Sequence, residues 1–385
     1  MLLAAGPLLV ASITTDPLAV AMAFFAQRLP WFIFGLFAGA IVDRVDRRML
    51  VMAVDLLRAA ILSILAATIA LELVNLTVIY GVMFLLGTAE TVADNASSSL
   101  VPVAVPKEGL GTANARLYGT MMVTNQLAGP PIGAFLFGVG ALYPFGFNAI
   151  CFAVAVAIVA KIELPPRVDL AEAKPSVRQE VIEGLRWLWT NPPVRTLAIM
   201  ITAFNITFGA AFSIWVLYAR ENLGLSELGY GLLLAAFAVG GVIGSAAYGS
   251  LERRFAYATL LRVGLIIETL THLALALTRS PYFAAVVIAT FGAHAIVWGT
   301  TSTTVRQRAV PDALLGRVTS VYLIGGVGAL ALGALLGGAI AGRWGILAPF
   351  WFAFAGSILI LSLTWRSIAY VARAADTEEV PASRA

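Results

Sequence analysis

Twelve apolar runs follow one another along this chain, most of them near the ~20 residues a helix needs to cross hydrocarbon. The charged residues gather in the connections between them. Inside a bilayer only helices, or closed barrels of short alternating strands, satisfy every backbone N–H and C=O. The runs here are continuous rather than alternating, so a barrel is excluded. They fall near residues 1–13, 18–42, 49–71, 76–100, 111–137, 140–160, 194–219, 227–249, 255–277, 281–305, 317–340 and 346–366. Composition agrees: 60% of the 385 residues are hydrophobic and 12% charged, against about 25% charged in a soluble domain. The chain reads as an all-α polytopic membrane protein.

The runs are not independent. Val105-Pro106-Lys107-Glu108-Gly109-Leu110-Gly111 returns 205 residues later as Val310-Pro311-Asp312-Ala313-Leu314-Leu315-Gly316, and Arg47-Arg48 returns 206 later as Arg253-Arg254. A shift of about 206 maps runs two to six onto runs eight to twelve. Two parallel six-helix repeats with a substrate site between them are a known transporter plan. The expected organisation is a bundle over 1–160, a linker over 161–193, a second bundle over 194–370 and a tail over 371–385. Residues 1–13 would reach only ~20 Å as a helix, short of the ~30 Å core. The expectation is therefore that the start lies upstream, with roughly a dozen residues of the first helix missing. A signal peptide does not fit: there is no basic leading region, and Ile13-Thr14-Thr15-Asp16-Pro17 turns directly into another run.

Charge placement sets the expected orientation. One set of connections holds Arg44, Arg47, Arg48, Lys107, the central segment, Arg253, Arg254, Arg306, Arg308 and the tail; the alternate set holds only Arg220, Arg279 and Arg343. Cationic loops stay cytoplasmic, so the first set, the middle segment and the C-terminus are expected inside. The pI near 9.3 then reflects topology, and nothing points to nucleic acid. In the middle segment Val177, Val181, Leu185, Leu188 and Trp189 recur at helical spacing opposite Arg178, Glu180, Glu183 and Arg186. That helix either lies on the inner membrane surface or simply joins the bundles. The single cysteine, Cys151, has apolar flanks and is expected to be packed.

The loop Gly39-Ala40-Ile41-Val42-Asp43-Arg44-Val45-Asp46-Arg47-Arg48 resembles the signature between helices two and three of the major facilitator superfamily. Gln27-Arg28-Leu29-Pro30, Asp55-Leu56-Leu57-Arg58 and Glu183-Gly184-Leu185-Arg186-Trp187-Leu188-Trp189 resemble its bacterial drug–proton antiporter branch, which includes macrolide and siderophore exporters. The resemblance implies the twelve-helix fold in two pseudo-symmetric bundles, with the first helix shortened, in the inner membrane of a bacterial cell. It also implies a cytoplasmic gate at Gly39, Asp43, Arg44, Arg47 and Arg48. Gly39 would permit close helix approach, Asp43 would meet the N-terminal dipole of the helix near Gly316-Arg317-Val318, and Arg47 or Arg48 would pair with an acid, for which Asp94 is the candidate. The alternative is that these arginines only anchor topology. Asp46 stands where the family has glycine and is expected to adopt the left-handed turn that glycine would take. The second copy has Gly249 in place of Asp43, so its gate is degenerate.

Glu90 and Asp94 lie four apart on one helical face. Carboxylates within hydrocarbon are costly and face protein or water, and one without a partner can exchange protons. Glu90 is the first candidate for proton coupling; a static ion pair to Arg116 or Arg58 is the alternative. Arg28, midway through run two, is a substrate or coupling group or is paired with carboxylate or carbonyls. His294 with Trp298 one turn on, Asn205 and Asn125-Gln126 are candidate cavity residues, and histidine titrates near neutrality in water. A packing role is equally open for His294. Glu268–His272 and Asp55–Arg58 are expected to be structural pairs. Gly129-Pro130-Pro131-Ile132-Gly133 resembles the antiporter motif, with Asn125 where the family has glycine, and proline there bends the helix. Gly333/Gly337 and Gly338/Gly342 read as packing glycines.

A phosphate-binding glycine loop with lysine is absent from the sequence, and two histidines and one cysteine make no metal cluster. Neither cofactor, metal nor enzymatic activity is expected. The expected function is export of a small amphipathic molecule, drug-like or siderophore-like, by a monomer in the lipid bilayer, with protons as coupling ion. An importer or lipid flippase on the same fold, and a non-transporting paralogue, are the alternatives.

Overall fold

A computed structural model describes residues 1–42, 45–105, 109–162 and 177–376. The expected gate residues Asp43 and Arg44 and the repeat residues Pro106, Lys107 and Glu108 lie outside the described residues, as do the side-chain surroundings of Gly39 and Arg47. Among the described residues all extended regular structure is helical: α1 (Leu2–Ile13), α2 (Pro17–Val42), α3 (Arg47–Ala70), α4 (Leu76–Ala104), α5 (Leu110–Met121), α6 (Gly129–Val139), α7 (Tyr143–Val159), α8 (Val177–Thr190), α9 (Pro192–Phe212), α10 (Trp215–Leu217), α11 (Glu227–Arg254), α12 (Tyr257–Leu277), α13 (Pro281–Ala309), α14 (Asp312–Trp344) and α15 (Ala348–Asp376). Wider π-helical turns occupy Met122–Ala128 and Tyr218–Asn222. Nine of the described helices are long and apolar enough to cross a membrane; α1 and α7 are apolar but shorter. The chain therefore follows the twelve-run pattern, with run five divided into α5, a π segment and α6.

The helix starts are written locally. Asp46 accepts a hydrogen bond from the Met49 N–H at 2.8 Å and caps α3. Asn191 and Ser280 cap α9 and α13 in the same way, each followed by proline, whose missing N–H costs nothing at the first helical position. Asp46 has φ −60° and ψ 119°, so the expected left-handed turn is not what forms. The short carboxylate finds a better use as a cap.

The described residues divide into two compact units, 1–162 with 219–235, and 177–218 with 236–376. In the first, α2 packs on α4, α3 on α7 and α1 on α6. In the second, α12 packs on α15 and α9 on α14, while α11 approaches α13 through Gly240, Gly244 and Gly292. These are the same pairings at the repeat offset: α4 and α13 begin 205 residues apart (Leu76, Pro281), as do α7 and α15 (Tyr143, Ala348). Small residues set the distances. A Cβ at Gly333 or Gly337 would lie 2.3 or 2.0 Å from the carbonyl oxygens of Ile206 or Ala210, and one at Gly87 would lie 2.2 Å from that of Gln27.

Cys151 is exposed rather than packed. It shares α7 with exposed Ile150, Val154 and Ile158, an apolar outward face. Apolar flanks do not discriminate packing from exposure in a protein whose outside is as apolar as its core. Helix α8 docks on α14 through buried Gly184 and Leu188, with Glu183 2.6 Å from Arg317, while Ile182, Leu185 and Trp189 stay exposed.

Candidate functional site

In the second unit, α9, α11, α12, α13 and α14 line a half-open cavity of about 350 Å³, within the size range of small-molecule sites. Its walls are aromatic. Phe208 stacks on Phe291 at 5.5 Å between ring centres, Phe237 tilts against the same ring at 5.8 Å, and Phe291 meets His294 edge-on at 5.7 Å. The expected residues Asn205, His294 and Trp298 all line it. Asn205 donates its amide to the Ile201 carbonyl at 2.8 Å.

The cavity also contains a carboxylate. Glu268, one turn before His272 on α12, points its Oε2 at His294 Nε2, 3.1 Å away. His272 Nε2 stands 3.7 Å from the other oxygen, beyond hydrogen-bond length but within ionic contact. All three are buried, at 8%, 2% and 6% exposure for Glu268, His272 and His294. The expected pair Glu268–His272 is therefore part of a cluster of three, and Glu268 lines the cavity. Both nitrogens of His272, Nδ1 of His294 and Nε1 of Trp298 are buried without a hydrogen-bond partner among the described residues. Each such group costs about 1–3 kcal/mol while it is without a partner. Gly264, one turn ahead of Glu268, makes the arrangement possible: a Cβ there would lie 2.8 Å from both His294 Nδ1 and Trp298 Cδ1. Further along α13, Ser302 Oγ and Tyr322 Oη lie 3.0 Å apart and the Arg306 guanidinium sits 4.2 Å over the Tyr322 ring.

The first unit holds a different polar group. Gly87 lets α4 close on Gln27 of α2, which brings Arg28 to the level of Glu90 and Asp94. Asp94 is exposed and Glu90 half-buried; neither has an ion pair within 4 Å among the described residues. Asp94 lies within electrostatic reach of Glu90, Arg58 and Arg28. Arg58 is held by Asp55 at 3.4 Å. Arg28 lies over the Phe24 ring at 5.5 Å, its Nε buried and without a hydrogen-bond partner among the described residues. Arg48 does not reach Asp94: its guanidinium donates to the carbonyl of Ala160 at the end of α7. A cation is favoured at such a helix C-terminus, and the first turn of α3 places Arg48 beside α7 because those helices pack together.

The Gly129-Pro130-Pro131 motif opens α6 directly after the π segment Met122–Ala128. Two prolines remove two N–H donors from a mid-run position, and the widened turn takes up the loss. A Cβ at Gly129 would lie 2.4 Å from the Thr124 carbonyl oxygen, and one at Gly133 would lie 2.5 Å from that of Met1. In the same unit, Gly231 at the start of α11 closes to where a Cβ would be 2.8 Å from the Pro130 oxygen. Asn125 lies exposed in the π segment.

The sequence pattern missed Glu268, Arg306 and Tyr322 as cavity residues, and Gly264 as the position that lets His294 and Trp298 approach α12. One signal was available: an intramembrane Glu and two intramembrane His on neighbouring runs are costly singly and become tolerable together.

The chain matches the family described as transmembrane secretion effector over residues 3–383. It is 28% identical to the multidrug efflux pump Tap of Mycolicibacterium fortuitum, across 90% of this chain and 86% of that protein. With macrolide efflux protein A of Streptococcus pyogenes it shares 25% identity over the same proportions. A solved structure of a nucleoside transporter NupG mutant has a TM-score of 0.76, covering 95% of this chain and 94% of that one at 10% identity, a likeness of fold alone. Through that family match the chain belongs to the transmembrane secretion effectors of the major facilitator superfamily, and it is a multi-pass membrane transporter rather than an enzyme.

Proposed function

We propose that the protein exports small amphipathic compounds from the cytoplasm, driven by protons entering from outside, by alternately opening a central site to the two sides. One relative is named as an efflux pump and another as an efflux protein, which supports the direction. The observation that carries the coupling is the state of Glu90 and Asp94: one turn apart within a membrane helix, and without an ion-pair partner among the described residues. A carboxylate left unpaired at that depth is stable when protonated and stable when hydrated, and a coupling group must alternate between those states. Glu90 is the leading carrier. Arg28 tunes Asp94 through space, the loop over Gly39, Asp43, Arg44, Arg47 and Arg48 closes the cytoplasmic side, and the Gly129–Gly133 bend serves the outer side. The aromatic cavity with Asn205, His294 and Trp298 contacts the substrate. The chain works as a monomer in the inner membrane of a bacterial cell, with its cation-rich connections and C-terminus in the cytoplasm.

Inside-out vesicles carrying the protein should accumulate a hydrophobic dye when their interior is acidified, and Glu90→Gln should abolish the gradient dependence. Accumulation by the Glu90→Gln protein that still follows the gradient would remove Glu90 from coupling. Wild-type vesicles that never accumulate any compound against an acid interior would overturn export.

A further inference from the structure

Two arginines stand in the last turn of α13 and are placed differently. Arg308 is exposed, over the Tyr257 ring at 5.6 Å, which is all that a favourable cation at a helix C-terminus requires. Arg306 is buried, at 7% exposure, and lines the cavity instead. We propose that this cavity binds an amphipathic organic acid, its carboxylate against Arg306 and its apolar rings between Phe204, Leu265 and Trp298. The proposal rests on the export reading for its physiological purpose, although binding itself is measured without flux.

A guanidinium keeps its charge at every physiological pH and can only donate. Buried in a membrane helix, it needs an anion close by. Arg306 has no carboxylate within 4 Å among the described residues, and its Nε is buried there without a hydrogen-bond partner. The Tyr322 ring, 4.2 Å away, offers an attractive face but no formal charge. The acids of the second unit are spent or distant. Between residues 255 and 311 the sequence holds one, Glu268, whose oxygens meet His294 at 3.1 Å and His272 at 3.7 Å. His294 precedes Arg306 by 12 residues, roughly 18 Å of helix. Helix α9 contains neither Asp nor Glu. Asp312 opens α14 ten residues before Tyr322, roughly 15 Å along that axis.

Helical side chains lean toward the N-terminus, so Arg306 leans back along α13 toward Ser302 and the cavity rather than out of the helix end. Two unsatisfied groups on this wall are donors only: Arg306 Nε and Trp298 Nε1. Ser302 Oγ and Tyr322 Oη share one hydrogen bond at 3.0 Å, which leaves one of the two O–H groups to donate again. A carboxylate answers this set, since it only accepts and matches the guanidinium fork with both oxygens. Trp298 lies eight residues before Arg306, roughly 12 Å of helix, so its N–H meets an acceptor further along the ligand. Phe204 and Leu265 pack beside Trp298 and line the same space. A bare inorganic anion would leave those apolar walls uncovered, whereas an acid with an apolar body covers them.

1-Naphthylacetate carries a carboxylate on a pair of fused rings, and 1-naphthylacetamide has the same shape without the charge. Each is equilibrated by dialysis against the purified full chain in detergent, with partition into empty micelles subtracted. The acid should bind about tenfold more tightly than the amide. Arg306→Gln should weaken the acid by about thirtyfold or more while leaving the amide nearly unchanged, so that the preference disappears. A wild-type protein that binds the amide as tightly as the acid overturns the proposal, and that comparison needs no variant to fold. A folded Arg306→Gln protein that keeps the preference overturns it equally. Displacement of the acid by phosphatidylglycerol but not by phosphatidylcholine would assign Arg306 to a lipid headgroup, against the proposal. A clear preference for the acid in a protein whose vesicles accumulate nothing would sink the export reading alone. Gradient-driven export with acid and amide bound equally would sink this site alone.

Discussion

The two units share their helix pairings and differ in how they keep charge inside a membrane. In the first, Glu90 and Asp94 stand on one face of α4 without an ion-pair partner among the described residues, and the nearest cations act at a distance. In the second, Glu268 is buried with an imidazole 3.1 Å away and another at 3.7 Å. The same duplicated scaffold thus carries an open carboxylate site and a closed one. Duplication fixes how helices pack, because packing depends on small residues at repeated positions. It does not fix which position carries charge: residues 296 and 300, at the 206 offset from Glu90 and Asp94, are Ile296 and Thr300. Each unit was free to place its polar group where a different task required it.

The largest effect should come from breaking the closed site. Glu268→Ala strands His272 and His294 and is expected to cost about 3–5 kcal/mol, the usual penalty for removing one partner of a buried pair. Glu90→Ala and Asp94→Ala remove groups with no partner to strand, so each should stay within about 0.5 kcal/mol of the parent. Thermal melting in detergent measures all three. Equal losses in the two units would erase the distinction between open and closed sites.

Next come the glycines that position each group. Gly87→Ala would press on the Gln27 backbone and Gly264→Ala on the rings of His294 and Trp298, each costing about 1–3 kcal/mol by overpacking. Gly299, on the same cavity but with nothing within 4 Å of a Cβ, serves as the control. Gly299→Ala should gain up to about 1 kcal/mol of helix propensity. A Gly264→Ala protein as stable as the parent would show that those rings are not held there.

Much of this architecture was readable before any coordinates. Hydrocarbon imposes a minimum helix length and forbids unpaired backbone, so the runs and their repeat stand out. His294, Trp298 and Asn205 were named as cavity candidates because the family resemblance puts their helices around a cavity, and all three line the pocket of the second unit. The partners were not legible. Glu268 and His294 are 26 residues apart on different helices, and sequence spacing shows only neighbours on the same helix, which is why Glu268 first pairs on paper with His272. Arg48 escaped for another reason: its partner is the carbonyl of Ala160, and a backbone acceptor leaves no mark in the residue code. Asp46 was misjudged because a family glycine suggested a left-handed turn, whereas the side chain's own chemistry favours a cap.

That cap gives the smallest effect and a direct comparison between the units. Asp46 and Ala256 both precede the second membrane-crossing helix of their unit's shared pairings, with similar backbone angles of −60°, 119° and −62°, 148°. Asp46 caps with its carboxylate, while Ala256 makes no side-chain cap. Asp46→Ala should therefore cost about 1 kcal/mol, Asp46→Gly only a few tenths, and Ala256→Asp should gain about 1 kcal/mol. Melting temperatures of the three single variants give the order. A left-handed residue would behave in the opposite sense, since glycine is relieved there of the penalty a side chain carries. An Asp46→Gly protein more stable than its parent would thus restore the turn and remove the cap, whereas a gain at Ala256→Asp would show that the two helix starts differ only by the side chain that one of them lacks.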